Sequence, residues 1–195
     1  MPERTKPPRV LSRRGFFFGA AAAGVVLLSD NPRAFAGARA VAVRAGVSGW
    51  LELFNTHTAE SLQVVYRSTD GLVTSAVERL QWLLRDHRSG EAAHIDTGLY
   101  DQLAALAAAA GVEPRFEVIS GYRSPRTNAS LHAAGRGVAT HSLHMQGRAI
   151  DVRLRGVATS TLRDLALTAG RGGVGYYRRS DFVHIDTGRV RHWAG

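Results

Sequence analysis

Between Ser142 and Val152 the chain reads SLHMQGRAIDV, and an aspartate stands where core strand is expected. In RAIDVRL the apolar residues Ile150, Val152 and Leu154 share one face at the two-residue period of a strand. Asp151 is left on the other face with Ala149 and Arg153. A carboxylate on a half-buried strand is expensive without a partner. His144 lies seven positions earlier, an odd spacing that would send it to the opposite face of an unbroken strand. Gly147 removes the difficulty, because a bend at MQG turns His144 back towards Asp151. A third group comes from DFVHIDT, where Phe182, His184 and Asp186 alternate with Val183 and Ile185. His184 therefore leaves a strand with apolar residues behind it.

Two histidines and an aspartate from separate segments suit a catalytic zinc with one open position, the arrangement that serves hydrolysis near neutral pH. They equally suit a structural hydrogen bond between His144 and Asp151 beside a satisfied, half-buried His184. With no cysteine in the chain, there is no disulfide, no thiolate nucleophile and no zinc site on sulfur, so a metal would rest on His, Asp or Glu. The formal charge is +9, Lys6 is the only lysine, and the arginines are scattered among acids. A nucleic-acid surface needs its cations gathered on one face, so nucleic acid is not expected as a partner.

A length of 195 residues suits one compact domain with an appendage. Residues 1–36 read as that appendage. Basic residues precede an apolar run from Phe16 to Leu28, and Ala34-Phe35-Ala36 offers a small-residue cleavage site. The paired arginines of SRRGFFF match a twin-arginine export signal. The run is shorter than the ~20 residues that span a bilayer, so contact with the membrane is expected only through this signal before cleavage. Residues 37–48 read as a flexible linker and 49–195 as the domain.

Within it, WLELFNTHTAESLQVVY alternates as a β-hairpin turning at NTHT. SAVERLQWLLRDH carries Val77, Leu80, Leu83 and Leu84 at helical spacing, and Asp96 or Thr97 caps a helix from Gly98 to Ala110. RFEVIS (115–120) reads as a strand, Pro125 to Ala134 as a short helix, and Thr159 to Ala169 as another. The order implies an α+β fold in which a small central antiparallel sheet carries the site and helices flank it.

Three motifs, SGYRSPRTN, SLHMQGRAID and DFVHIDTG, resemble in order those of the zinc peptidases of bacterial cell walls. These form the fold group of D-Ala-D-Ala metallopeptidases, lysostaphin-type enzymes and the hedgehog signalling domain. Within it the chain is similar to the exported YcbK-like branch of murein endopeptidases, from about Trp50 to Trp193. The resemblance implies one zinc ion per chain on His144, Asp151 and His184. It also implies that Arg123, of GYR, lies near the scissile carbonyl or a substrate carboxylate. A planar guanidinium suits either task.

The general base is where this sequence departs from its relatives. D-Ala-D-Ala dipeptidases place a glutamate three residues before the last histidine ligand, and Asp181 stands there; other members use a histidine two before it, where this chain has Phe182. Strand alternation turns Asp181 away from His184, whereas Asp186 lies on the same face, so both remain candidates. Tyr122, Ser142 and His141 are candidates to line the cleft, as are Tyr176 and Tyr177. His57 reads as a structural turn residue, His87 as solvent-facing and Trp193 as core cover. The implied activity is that of an exported zinc metallopeptidase of the periplasm or cell wall, cutting cross-links between peptidoglycan stem peptides. A carboxypeptidase releasing D-Ala, or a non-catalytic zinc-stabilised binding module, would carry much the same motifs.

Overall fold

The computed structural model describes residues 49–195, so the expected export signal and linker lie outside the described residues. The chain runs β1 (Gly49–Asn55), β2 (Ser61–Ser68), β3 (Gly71–Leu72), α1 (Thr74–Leu83), α2 (Thr97–Ala109), β4 (Arg115–Ser120) and α3 (Pro125–Ala133). A 3-10 turn (Leu143–Gln146) leads into β5 (Ala149–Leu154), followed by α4 (Thr159–Ala169), β6 (Gly173–Tyr177), β7 (Phe182–Asp186) and β8 (Arg191–Ala194). The strands form one sheet in the order β3-β2-β1-β4-β5-β7-β6-β8.

The α+β class is as expected, but the sheet is neither small nor wholly antiparallel. It has eight strands, and β1 with β4 and β6 with β8 run parallel. The hairpin, β4 and the last three helices lie within a residue or two of the positions read from the sequence, whereas α1 stops at Leu83, before the RDH of its segment. β3, β6 and β8 are additions. GGVGYY reads as glycine turn, and RHWA is a short charged edge, so neither gives a two-residue apolar period.

The core explains which face is left for chemistry. Leu51 and Leu53 of β1, Phe116 and Val118 of β4, Ile150, Val152 and Leu154 of β5, and Val183 and Ile185 of β7 are buried together. They pack with Leu80 of α1, Leu99, Leu103 and Leu106 of α2, and Leu162 and Ala166 of α4. Asp96 caps α2 by accepting from the Gly98 amide at 2.9 Å. With Ile150, Val152, Val183 and Ile185 given to this core, Asp151 and His184 must emerge on the other face of β5 and β7.

Candidate metal centre

Strand register builds most of the site. Asp151 pairs with Ser120 on β4 and with His184 on β7. His184 pairs with Gly175 on β6, which pairs in turn with Trp193 on β8. Ser120, Asp151, His184, Gly175 and Trp193 therefore form one lateral row across five strands.

His144 reaches the row from outside the sheet. The Ser142 hydroxyl opens the 3-10 turn by accepting from the His144 amide at 3.3 Å. Gly147 closes it in the left-handed region, with φ +65°. A Cβ at Gly147 would stand 1.9 Å from the His94 carbonyl oxygen, so close approach as well as φ requires glycine there. The bend expected at MQG is this turn.

Three atoms converge on one point. His184 Nδ1 lies 2.9 Å from Asp151 Oδ1, His144 Nε2 lies 3.2 Å from His184 Nδ1, and His144 Nε2 lies 3.3 Å from Asp151 Oδ1. All three residues are buried. The outer nitrogens are occupied: His144 Nδ1 donates to the Gly121 carbonyl at 2.7 Å and His184 Nε2 to Asp186 Oδ2 at 3.1 Å. These acceptors fix the tautomers and turn the remaining lone pairs of neutral rings inward. Three acceptors facing one another need a cation or a shared proton. Burial alone would pull His184 down, but Asp151 and Asp186 on its two sides outweigh it and raise its pKa to about 9. Burial works against ionised Asp151 too, yet His144 and His184 hold its carboxyl well below the usual range.

The donor set fits zinc. Bonds of about 2.0–2.1 Å in a tetrahedron separate ligand atoms by roughly 3.3–3.4 Å, close to the spacings here. Two imidazoles and one carboxylate favour zinc over the oxygen-seeking magnesium and calcium.

Asp186 is wholly buried and fully engaged. It accepts from Arg191 at 2.7 and 3.1 Å, from the Gly173 amide at 2.9 Å and from the Gly188 amide at 2.8 Å, besides holding His184. Burial opposes its ionisation, but these bonds keep the carboxyl well below the ordinary range. A carboxylate so committed holds the His184 ring in place. Asp181 is elsewhere. At φ +51° it accepts from the Thr159 hydroxyl at 2.7 Å and lies 3.4 Å from Arg153 Nε, with its side chain 64 % exposed. Of the two candidates for general base, Asp181 thus stands in the turn before β7, on Thr159 and Arg153, and Asp186 stands beneath His184, on Arg191 and two amides.

Arg123 sits beside the cluster. Its amide donates to the His144 carbonyl at 3.2 Å, and its guanidinium makes two long contacts, 3.4 Å to Asn128 Oδ1 and 3.4 Å to Ser120 Oγ. Its buried Nε has no hydrogen-bond partner, and no carboxylate pairs with it among the described residues. Burial lowers its pKa, while Asp151 acts to raise it. This is a half-buried cation with a donor to spare, suited to an anion arriving from solution.

The remaining candidates divide. Ser142 is buried and shapes the turn that carries His144. Tyr122 packs against the apolar core and donates its amide to Leu84 at 2.7 Å, which leaves it beside the cluster and not within it. His141 is exposed and reaches none of the three converging atoms.

Residues 43–193 match the family model described as peptidoglycan L,D-endopeptidase MepK. The chain belongs to this MepK family. The peptidoglycan L,D-endopeptidase MepK of Escherichia coli (strain K12) is 45 % identical over 143 residues, covering 73 % of this chain and 79 % of the relative. The probable peptidoglycan L,D-endopeptidase MepK of Haemophilus influenzae is 37 % identical over 142 residues, covering 72 % of this chain and 76 % of the relative. No solved structure gives a significant match.

In this MepK-family chain the sequence reading missed the groups that support the ligands. Gly121 contributes only its carbonyl, which no side-chain pattern betrays. Arg191 grips Asp186 from a strand too short to read. Gln102 reaches across from α2 to the Asp186 carbonyl at 3.3 Å, one helix-face glutamine among buried apolar neighbours. That last departure from helical amphipathicity is the one signal available beforehand. His87, read as solvent-facing, is stacked on His57 with ring centroids 3.9 Å apart.

Proposed function

We propose that this chain is an exported zinc metallopeptidase that hydrolyses cross-links between peptidoglycan stem peptides. The observation that carries the reading is the convergence of His144 Nε2, Asp151 Oδ1 and His184 Nδ1 beside Arg123, whose guanidinium Nε has no hydrogen-bond partner. The MepK names of its relatives supply the substrate class.

A zinc ion held by His144, Asp151 and His184 supplies the Lewis acidity that amide hydrolysis requires near neutral pH. The protein's own part is positional. Gly121 and Asp186 keep the two imidazoles turned inward with their protons on the far nitrogens. Arg123 binds an anionic group of the peptide or the negative charge that develops at the scissile carbonyl. The buried surroundings keep both interactions strong by limiting water. Export follows from the twin-arginine pattern of residues 1–36 and puts the enzyme in the periplasm or cell wall, where its substrate lies.

The test is incubation of the purified protein with cross-linked muropeptide dimers, with and without a chelator. Chelator-sensitive conversion of dimers to monomers is the expected result. Release of free D-Ala would instead make the chain a carboxypeptidase. Binding without turnover would make it a zinc-stabilised recognition module.

A further inference from the structure

The Arg123 guanidinium donates to two neutral acceptors. Nη1 reaches Asn128 Oδ1 and Nη2 reaches Ser120 Oγ, each at 3.4 Å. Neither acceptor cancels its charge. Asn128 is the more committed of the two. It stands in the first turns of α3, is 3 % exposed, and uses both ends of its amide. Its Nδ2 donates to the Ala139 carbonyl at 3.1 Å and to the Thr140 carbonyl at 3.4 Å. A guanidinium can only donate and a carbonyl can only accept, so one orientation of the amide satisfies all three. Thr140 lies two residues before Ser142, which opens the turn that carries His144. The Arg123 amide donates to the His144 carbonyl in that same turn. One side chain therefore joins the cation to the segment that delivers a metal ligand. Residues of the same shape would do one task or neither. Aspartate would match the arginine, but it would neutralise the guanidinium and turn oxygen towards two carbonyls. Leucine would leave the guanidinium and both carbonyls without this partner, and a buried polar group left unpaired is costly.

We propose that Asn128 is a positioning residue that fixes Arg123 beside the metal-bearing turn with its charge intact, and so gives the site a preference for a peptide carboxylate over the matching carboxamide. The inference rests on the reading of Arg123 as the group that meets an anion of a stem peptide. Asn128 touches no reacting atom; it acts through the arginine. A neutral acceptor fixes where the guanidinium points and leaves the full charge for the ligand. A carboxamide has the shape of a carboxylate without its charge, so comparing the two isolates what Asn128 preserves.

The experiment is a binding cycle with peptides that lack the scissile bond, so hydrolysis does not enter. A stem tripeptide ending in a free carboxylate, and its carboxamide, are titrated calorimetrically into the zinc-loaded protein. The same titrations are made with Asn128→Asp, Asn128→Ala, Arg123→Gln and the double variant Asn128→Asp with Arg123→Gln. A hydrogen bond to a charged partner is worth about tenfold or more in affinity, so wild type should prefer the carboxylate by about that factor. Asn128→Asp supplies a carboxylate of its own and should cut the preference to within about twofold. Asn128→Ala leaves the charge but not its place, and about threefold should remain. Arg123→Gln should abolish the preference, and adding Asn128→Asp to it should weaken the carboxylate peptide no further, whereas a merely structural loss would add. Zinc content and melting temperature show which variants keep their fold; if Asn128→Asp does not, Asn128→Ala carries the test. No preference in wild type, a preference that survives the Asn128 or the Arg123 variants, or a further loss in the double variant overturns the role of Asn128. The expected pattern in a wild type that cleaves no cross-linked dimer overturns the hydrolase reading and leaves that role standing.

Discussion

Substituting Asp186 tests the claim that this carboxylate exists to hold His184. Its wholly buried oxygens satisfy Arg191, two backbone amides and His184 Nε2. Asp186→Ala leaves Arg191 and both amides without their acceptor. Breaking a buried ion pair by removing one partner costs about 3–5 kcal/mol, a large share of the ~5–15 kcal/mol that stabilises a domain. At roughly 2–4 °C per kcal/mol for a domain of this size, the melting temperature should fall by about 6–20 °C. Asp186→Asn keeps the shape but turns an NH2 donor towards other donors, so a smaller fall is expected. Both variants free the His184 ring to rotate or to carry its proton on Nδ1. Loss of such an outer hydrogen bond typically weakens metal affinity 10–100-fold. Thermal melts of metal-free protein and zinc competition against a chromogenic chelator measure the two effects separately. If Asp186→Asn binds zinc within twofold of wild type, Asp186 does not orient His184.

Asp181→Asn should retain cross-link cleavage within about twofold and full zinc content, since Asp181 holds Thr159 and Arg153 on an exposed surface; exposed pairs contribute ~1 kcal/mol or less, and a hundredfold loss in turnover would restore it as general base. Gly147→Ala combines a left-handed φ, costing ~1–2 kcal/mol, with a clash against the His94 carbonyl, so expression with normal zinc content and an unchanged melting temperature would contradict the turn. Acid should destabilise the domain in two stages. Burial, then the charges of His57 and Arg88, pull His87 down to about 4, so the unfolded chain takes up this proton first and stability falls from about pH 6.5 towards pH 4. Hydrogen bonds from Thr127, the Ser124 amide and the Arg88 amide overcome burial and hold Asp86 well below the carboxylate range; its stabilisation, complete above about pH 4, is lost as pH falls further. Urea midpoints from pH 8 to 3 should show both legs, with His87→Gln flattening the upper one and Asp86→Asn the lower.

What the chain reveals before folding depends on how local the cause is. The Asp96 cap, the Gly147 bend and the alternation around Asp151 and His184 are set within a few residues, and the structure has them where the sequence puts them. The convergence of His144 with the other two was readable only as a possibility, because spacing does not state which strands become neighbours. The lateral row is a matter of register, and register between β5, β7, β6 and β8 is decided by distant partners. The fate of the two aspartates shows the same limit. Asp181 falls in the positive-φ turn before β7, and nothing in DFVHIDTG says that Asp186 will be gripped by Arg191. β6 was hidden by its glycines, and one of them, Gly175, is what lets Trp193 lie against His184.

Because two of the three ligands are directly paired residues on adjacent strands, the ladder that holds the sheet together also sets the gap between them. The mould is cast by backbone pairing and the apolar layer beneath it, before any ion arrives. Such a protein should reach its native form metal-free and take up its ion afterwards with little rearrangement, unlike small zinc modules whose fold waits for the metal. Loading and folding should then be separable events, with a folded chain that a chelator empties and added zinc refills.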